Sequence, residues 1–230
     1  MLDKLRKEVC KANIELVKYG LVILTWGNVS GIDRKKGLVV IKPSGVNYDR
    51  LTPGDMVVVD LNGEVVDGKK RPSSDTPTHV ELYKKFPEIG GITHTHSTYA
   101  TSFAQASKEI PCLGTTHADQ FHGPVPVTRM LSKTELKNAY ELNTGRVIVE
   151  RFKSLDYTSI PGILVSGHGP FCWGEDAADS ARNALILERI AEMAFMTIQI
   201  DTGVIPLPKH IMDKHHTRKH GRDAYYGQKK

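Results

Sequence analysis

The run Gly90-Gly91-Ile92-Thr93-His94-Thr95-His96-Ser97 decides how this chain folds. Two glycines lead into an apolar, β-branched centre, which reads as a short buried strand over residues 91–96. Helical patterns flank it on both sides. Upstream, Thr76 reads as a helix cap with Pro77 at the first position and Val80, Tyr83 and Phe86 as the apolar stripe. Downstream, residues 98–107 read as a second helix. Further out, 2–19 is an amphipathic helix, while 38–41 (Leu-Val-Val-Ile) and 57–60 (Val-Val-Val-Asp) are strands. A short buried strand at 163–166 ends at Gly167-His168-Gly169, and Asp176 to about Ile200 is a long helix without Gly or Pro. Residues 134–152 fit either a helix or a helix followed by a strand at Val147-Ile148-Val149. Strands and helices intermingle with no linker or repeat between them. The expectation is one α/β domain over 1–230, with a sheet that is largely antiparallel or mixed.

The same run carries chemistry. On a strand, side chains alternate faces, so His94 and His96 project to one side and both imidazoles reach a single metal ion. A catalytic zinc site commonly has three protein ligands and an open position. His168 is the best third ligand, because its flanking glycines permit close backbone approach after a buried strand. Asp75, in Ser73-Ser74-Asp75-Thr76-Pro77, reads equally as a fourth ligand or as a helix-capping carboxylate. Two hydrolase classes are excluded or disfavoured. His96 is followed by Ser97-Thr98-Tyr99, not by the Asp-His of a metallo-β-lactamase motif, and the pair lies mid-chain in 230 residues, unlike the early His-x-His of a longer amidohydrolase barrel.

Three small-residue turns accompany the histidines: Gly27-Asn28-Val29-Ser30-Gly31, Lys42-Pro43-Ser44-Gly45 and Ser73-Ser74. Their backbone N–H groups and hydroxyls can converge on phosphate oxygens, with Lys42 as an added cation. Together with a metal site they point to a phosphorylated small molecule, and no Walker loop implies a nucleotide triphosphate. Asp119, in Thr115-Thr116-His117-Ala118-Asp119, reads as a turn carboxylate or as a general acid/base. Tyr226, in Ala224-Tyr225-Tyr226-Gly227, reads as a docking anchor or as a proton carrier whose phenolate the surrounding cations favour.

The formal charge of +5 is concentrated in residues 209–230, which hold seven Lys/Arg against two acids, along with four of the ten histidines. No aromatic-interleaved stripe or helix-turn-helix pattern goes with them, so the tail reads as a surface helix or as a supplier of cations to an anionic substrate, not as a nucleic-acid patch. Cys10, Cys112 and Cys172 form no Cys-x-x-Cys pair, which fits a reducing cytoplasm. No apolar run is long enough for a bilayer, and no membrane partner is expected.

Taken together, Gly27-Asn28, Lys42-Pro43-Ser44-Gly45, Ser73-Ser74-Asp75-Thr76, Thr93-His94-Thr95-His96 and Gly167-His168-Gly169 resemble the class II aldolase/epimerase (adducin head) superfamily. The resemblance covers essentially the whole chain, and Thr115 to Asp119 with His215 to Gln228 is similar to its pentulose-phosphate epimerase branch. It implies a three-layer α/β/α fold and a divalent ion, zinc or else manganese or cobalt, on Asp75, His94, His96 and His168. It also implies substrate and phosphate contacts from Gly27, Asn28, Lys42, Ser44, Gly45, Ser73, Ser74 and His215, with Asp119 and Tyr226 as proton carriers. The implied reaction inverts carbon 4 of a phosphorylated pentulose by breaking and remaking the bond between carbons 3 and 4. Aldolases of the superfamily carry Glu where this chain has Asp75, and the adducin head lacks the histidines. Members resemble one another in forming homotetramers with sites between subunits, so the basic tail at 209–230 is expected to complete a neighbour's site.

Overall fold

A computed structural model describes residues 2–226. In chain order the elements are α1 (Asp3–Lys18), β1 (Asn28–Asp33), β2 (Leu38–Ile41), β3 (Val57–Asp60), β4 (Val65–Asp67), α2 (Thr76–Lys85), β5 (Gly91–His94), α3 (Thr98–Gln105) and α4 (Thr115–Ala118). There follow α5 (Lys133–Lys137), α6 (Tyr140–Arg151), β6 (Gly162–Val165), β7 (Gly169–Gly174), α7 (Ala177–Ile200) and α8 (Lys209–His220). The seven strands form one sheet in the order β4-β3-β2-β1-β5-β7-β6, and every neighbouring pair is antiparallel. The sheet is therefore of the antiparallel kind expected.

Helices cover both faces, and the strand register says which residues meet which layer. Thr93 of β5 pairs with Val29 and Cys172, and its hydroxyl shares a hydrogen bond with Ser180 of α7 at 2.8 Å. That face lies under α1 and α7. Residues one step along point the other way: Ser30 of β1 meets His79 and Tyr83 of α2 at 2.7 and 2.8 Å, and the His79 ring stands edge-on to Phe171 of β7. Asn28, His94 and Phe171 are in register on this second face, which α2 and α6 cover.

The Gly90-Gly91 pair has a packing reason. A Cβ on Gly91 would stand 2.2 Å from the Asp176 carbonyl oxygen, so only glycine lets the start of α7 lie directly over the central strand. Asp176 caps that helix by accepting from the Asp179 N–H at 2.8 Å. The small residues Ala177, Ala181, Ala184 and Ala191 on its buried side keep it close to the sheet.

Several local readings need correction. The strand at 91–96 stops at His94, and Thr95 to Ser97 form the connection into α3. Gly27–Gly31 is not a turn: β1 begins at Asn28, because Val29 and Ser30 are wholly buried and Gly31 admits Val9 and Leu5 of α1 against the backbone. Thr76 does not cap α2. It is the first helical residue, its hydroxyl donates to the Ser73 carbonyl, and Asp75 occupies the cap position without bonding the helix N–H groups. Val147-Ile148-Val149 belongs to helix α6, where Val147 and Ile148 pack inward, so strand propensity yields to tertiary context. No sequence pattern marks β4 or β7. Val80, Tyr83 and Phe86 are buried as expected.

Candidate metal centre and phosphate pocket

β5 ends by delivering His94, which is 1 % exposed, to the rim of the sheet, and Thr95-His96 continue past it. The β6–β7 hairpin arrives from the other side. Its turn residue Gly167 has φ +72°, a left-handed conformation natural to glycine, and this places His168 back over β5. The three imidazoles form a nearly equilateral triangle, with ring centroids 4.9 Å apart for His94–His96, 4.8 Å for His94–His168 and 5.0 Å for His96–His168. Their ligand-type atoms all lie within 4.8 Å of one another.

The ring orientations are fixed by the fold. His94 Nδ1 lies 2.9 Å from the Pro170 carbonyl oxygen, which can only accept, so Nδ1 carries the proton and the Nε2 lone pair faces the other histidines. Phe171, the register partner of His94, stacks on its ring at 4.1 Å. Burial, then repulsion from His94, lowers the His96 pKa to about 4; burial, then His94 and His96, lowers that of His168 to about 3. His96 and His168 are thus held as neutral imidazoles, the form that binds a divalent metal.

Asp75 stands beside them. The Asn28 side-chain amide donates to its Oδ2 at 2.6 Å and to Ser73 Oγ at 3.1 Å. Burial opposes ionisation of Asp75, yet His94, His79, the Asn28 amide and His168 outweigh it and hold the carboxyl below its usual range. The carboxylate makes no cap bond to its own helix and lines the same cavity as the three imidazoles, so the capping reading of Asp75 is not what the structure displays. Asn28 Oδ1, buried in the same place, has no protein partner. Three imidazoles with a carboxylate in the same cavity are a donor set that suits zinc or a similar borderline divalent ion.

The histidines floor a cavity of about 500 Å³ whose wall holds Gly27, Asn28, Lys42, Ser44, Gly45, Ser73, Ser74 and Asp75. The three small-residue segments thus come to one place. Gly27 has φ +77°, and a Cβ there would stand 2.9 Å from the His94 carbonyl oxygen, so glycine is required where the turn closes on β5. Lys42 is 2 % exposed; its Nζ lies 4.6 Å from the Tyr48 ring centre, with the Thr25 carbonyl at 3.5 Å and the Pro43 carbonyl at 3.4 Å. Burial lowers its pKa to about 8, leaving an ammonium that can neutralise an anion in the pocket. Trp26, Tyr140 and Glu141 also line the cavity. No motif marked them.

Asp119, His215 and Tyr226 do not line this cavity, and they form a second cluster. Asp119 ends α4 and accepts from Arg218 Nε at 3.0 Å, Arg218 Nη2 at 2.7 Å and His215 Nδ1 at 3.1 Å, with Lys219 Nζ at 3.4 Å. Burial again opposes ionisation, and Arg218, His215 and Lys219 overcome it, so the carboxyl lies below its usual range. The Tyr226 ring lies under Arg218 and Lys219, 5.0 and 4.4 Å from their cationic centres. Gly227, Gln228, Lys229 and Lys230, the end of the motif and of the basic tail, lie outside the described residues.

Residues 7–195 match the family described as Class II Aldolase and Adducin N-terminal domain. The chain belongs to that family. It is 54% identical over 228 residues to the L-ribulose-5-phosphate 4-epimerase UlaF of Salmonella paratyphi A, covering 99% of this chain and 100% of the relative, and it matches the UlaF of Salmonella typhi to the same extent. Among solved structures, an L-fuculose 1-phosphate aldolase superposes with a TM-score of 0.80 at 26% identity, over 94% of this chain and 95% of that one. The L-fuculose-1-phosphate aldolase of Thermus thermophilus shares the fold at 24% identity, with a TM-score of 0.66 over 89% and 99% of the two chains. No helix among the described residues is long and apolar enough to cross a membrane.

Proposed function

We propose that this family member epimerises L-ribulose 5-phosphate at carbon 4, giving D-xylulose 5-phosphate. The observation that carries the reading is the full-length 54% identity to proteins named for that reaction. The pocket supports it by joining the three histidines and Asp75 to three segments of small residues sized for a phosphate.

Carbon 4 of the substrate bears no acidic C–H, so the chemistry proceeds by cleaving the bond between carbons 3 and 4, turning the released aldehyde and re-forming the bond on its other face. Zinc, or manganese or cobalt in its place, held by Asp75, His94, His96 and His168, would supply a Lewis acid for the oxyanion character that cleavage develops. Asn28 orients Asp75. Gly27, Ser44, Gly45, Ser73 and Ser74 offer N–H and hydroxyl donors to the phosphate, and Lys42 supplies positive charge. Keeping the aldehyde phosphate bound while it turns is what separates an epimerase from an aldolase. Two proton carriers on opposite faces are then needed, one to take the proton from the hydroxyl on carbon 4 and one to return it. Asp119 and Tyr226 fill these roles from a neighbouring subunit of a homotetramer, with His215 as an additional substrate contact. The whole chain, 1–230, then acts as one domain whose tail serves the next subunit, in the cytoplasm.

Purified protein incubated with L-ribulose 5-phosphate, with and without chelator, and coupled to xylulose 5-phosphate detection, tests this. Metal-dependent turnover is expected. His96→Ala should lose metal and turnover together, and Tyr226→Phe should keep metal and lose rate. Net release of aldehyde from L-fuculose 1-phosphate without epimerisation would instead favour the aldolase chemistry of the solved neighbour.

A further inference from the structure

Tyr140 enters the pocket from an element that carries no recognisable motif. Its phenol oxygen lies 3.1 Å from His168 Nδ1, and the two rings are inclined by 30° with centroids 6.1 Å apart. We infer that Tyr140 is a positioning residue for the metal centre, accepting the His168 Nδ1–H and thereby turning the His168 Nε2 lone pair toward His94 and His96. This deepens the reading of the histidine cluster as a metal site and rests on it.

The argument is one of tautomers. A neutral imidazole has one N–H and one lone pair, and whichever nitrogen is bonded outward fixes the role of the other. For His94 the Pro170 carbonyl makes that choice, because a carbonyl cannot donate. His168 has a hydroxyl in the corresponding place. If Tyr140 donated to Nδ1, the His168 Nε2–H would be the proton facing the other two imidazoles, and a cation could not share the site. With Tyr140 accepting, two of the three imidazoles are pre-set by the same device, a proton held on Nδ1 by an oxygen outside the triangle.

The backbone commits Tyr140 to this place. Ala139, immediately before it, has φ +94° and ψ 64°, a conformation that L residues other than glycine rarely adopt. That residue turns the chain from α5 into α6, so that Tyr140 opens the helix at the pocket rim. The turn is held from outside: Thr78 Oγ1 of α2 donates to the Glu141 carbonyl at 2.6 Å, and Asn143 Nδ2 donates to the Glu135 carbonyl at 2.9 Å. Strain of this kind persists only where its surroundings over-determine it, and it concentrates at working sites.

Tyr140→Phe keeps the ring and removes only the oxygen. Zn2+ affinity of the metal-free protein, measured by competition with a chromophoric chelator, should fall about 10- to 100-fold, the usual loss when a group supporting a metal ligand is removed. The urea midpoint of the metal-free protein should stay at the wild-type value. In the wild-type zinc form, 15N-edited imidazole spectra should show His168 as the Nδ1–H tautomer, and that signal should broaden by solvent exchange in Tyr140→Phe. Unchanged Zn2+ affinity in Tyr140→Phe would overturn the inference. So would an Nε2–H tautomer in wild type, or a variant whose only change is a raised KM at saturating zinc, which would make Tyr140 a substrate contact. A wild-type protein that binds zinc and lacks epimerase turnover would refute the proposed reaction and leave the role of Tyr140 standing.

Discussion

Replacing Asp119 by Asn removes one negative charge from a carboxylate that faces Arg218, His215 and Lys219 on α8. The size of the effect follows from how wet these contacts are. Side-chain exposures are 14% for Asp119, 25% for Arg218 and 22% for His215, so the pairs rank above exposed salt bridges and below buried ones. Exposed pairs are worth about 0.2–1 kcal/mol and hydrogen bonds to charged groups about 1.5–3 kcal/mol. Two substantial partners at roughly 1 kcal/mol each, with little from Lys219 at 3.4 Å, give about 2 kcal/mol for docking of α8. A 12-residue helix released from its dock is marginal in water, so undocking exposes its amides to exchange. A loss of about 2 kcal/mol should accelerate exchange across residues 209–220 by about 30-fold through local opening, leaving β1, β5 and β7 at their wild-type rates. Zn2+ affinity should not move, since Asp119 does not line the histidine cavity. Hydrogen exchange read by mass spectrometry on peptides covering α8 and β5 is the assay. Wild-type protection of α8 in Asp119→Asn would refute the claim that this ion cluster docks the tail; equal acceleration everywhere would show global destabilisation instead.

Acid should weaken the metal-free protein in a defined window. Burial lowers the pKa of His79 to about 3 and that of His117 to about 4 from an ordinary 6.5, so the unfolded chain binds their protons first. Their contribution is complete above the unfolded value and is lost as pH falls from about 6.5 toward 3–4, so urea midpoints should be flat from pH 8 to 7 and fall between pH 6 and 5; midpoints that rise on acidification would contradict this. Mixing tests whether the two clusters meet across a subunit boundary. If His96→Ala and Asp119→Asn chains are co-refolded at equal amounts into random oligomers, about a quarter of the sites pair a wild-type pocket with a wild-type tail and activity should return to about that level. No recovery over the separate variants would place both clusters in the service of one chain.

What could be read from the sequence follows from how local each cause is. Ser30 and Gly31 look like turn residues because their neighbours are Gly and Asn, but Ser30 is a strand residue whose hydroxyl answers His79 and Tyr83 from a helix some fifty positions away. Composition cannot reveal such a partner. His94, His96 and His168 are legible because a His-x-His pair at the end of a buried strand and a glycine-framed turn are local properties, although the strand stops at His94 and His96 lies in the connection beyond it. The ambiguity of Asp75 was real at that level, since a cap and a ligand occupy the same position before a helix. In the structure Asp75 makes no cap bond, and Asn28, in register with His94, puts its amide on the carboxylate. Tyr140 gave no signal because the helix it opens looked the same as a helix leading into a strand, and its position depends on a positive φ at Ala139 that alanine does not advertise.

The same distinction separates the two halves of the chemistry. The histidine pocket is lined by one sheet rim and the segments bonded to it, all within one chain. Asp119 is instead answered by residues about a hundred positions later, and those bonds gather the acid, His215 and Tyr226 into one rigid unit away from the pocket. Arg218 and Lys219 keep this carboxylate ionised and fixed in place, so in the proposed reaction its position depends on the docking of α8. Variants of α8 that loosen this unit should therefore lower turnover in proportion to the undocked population while the pocket continues to bind zinc with wild-type affinity. Variants of Asn28 or Asp75 should do the reverse, releasing metal from a chain whose tail stays protected.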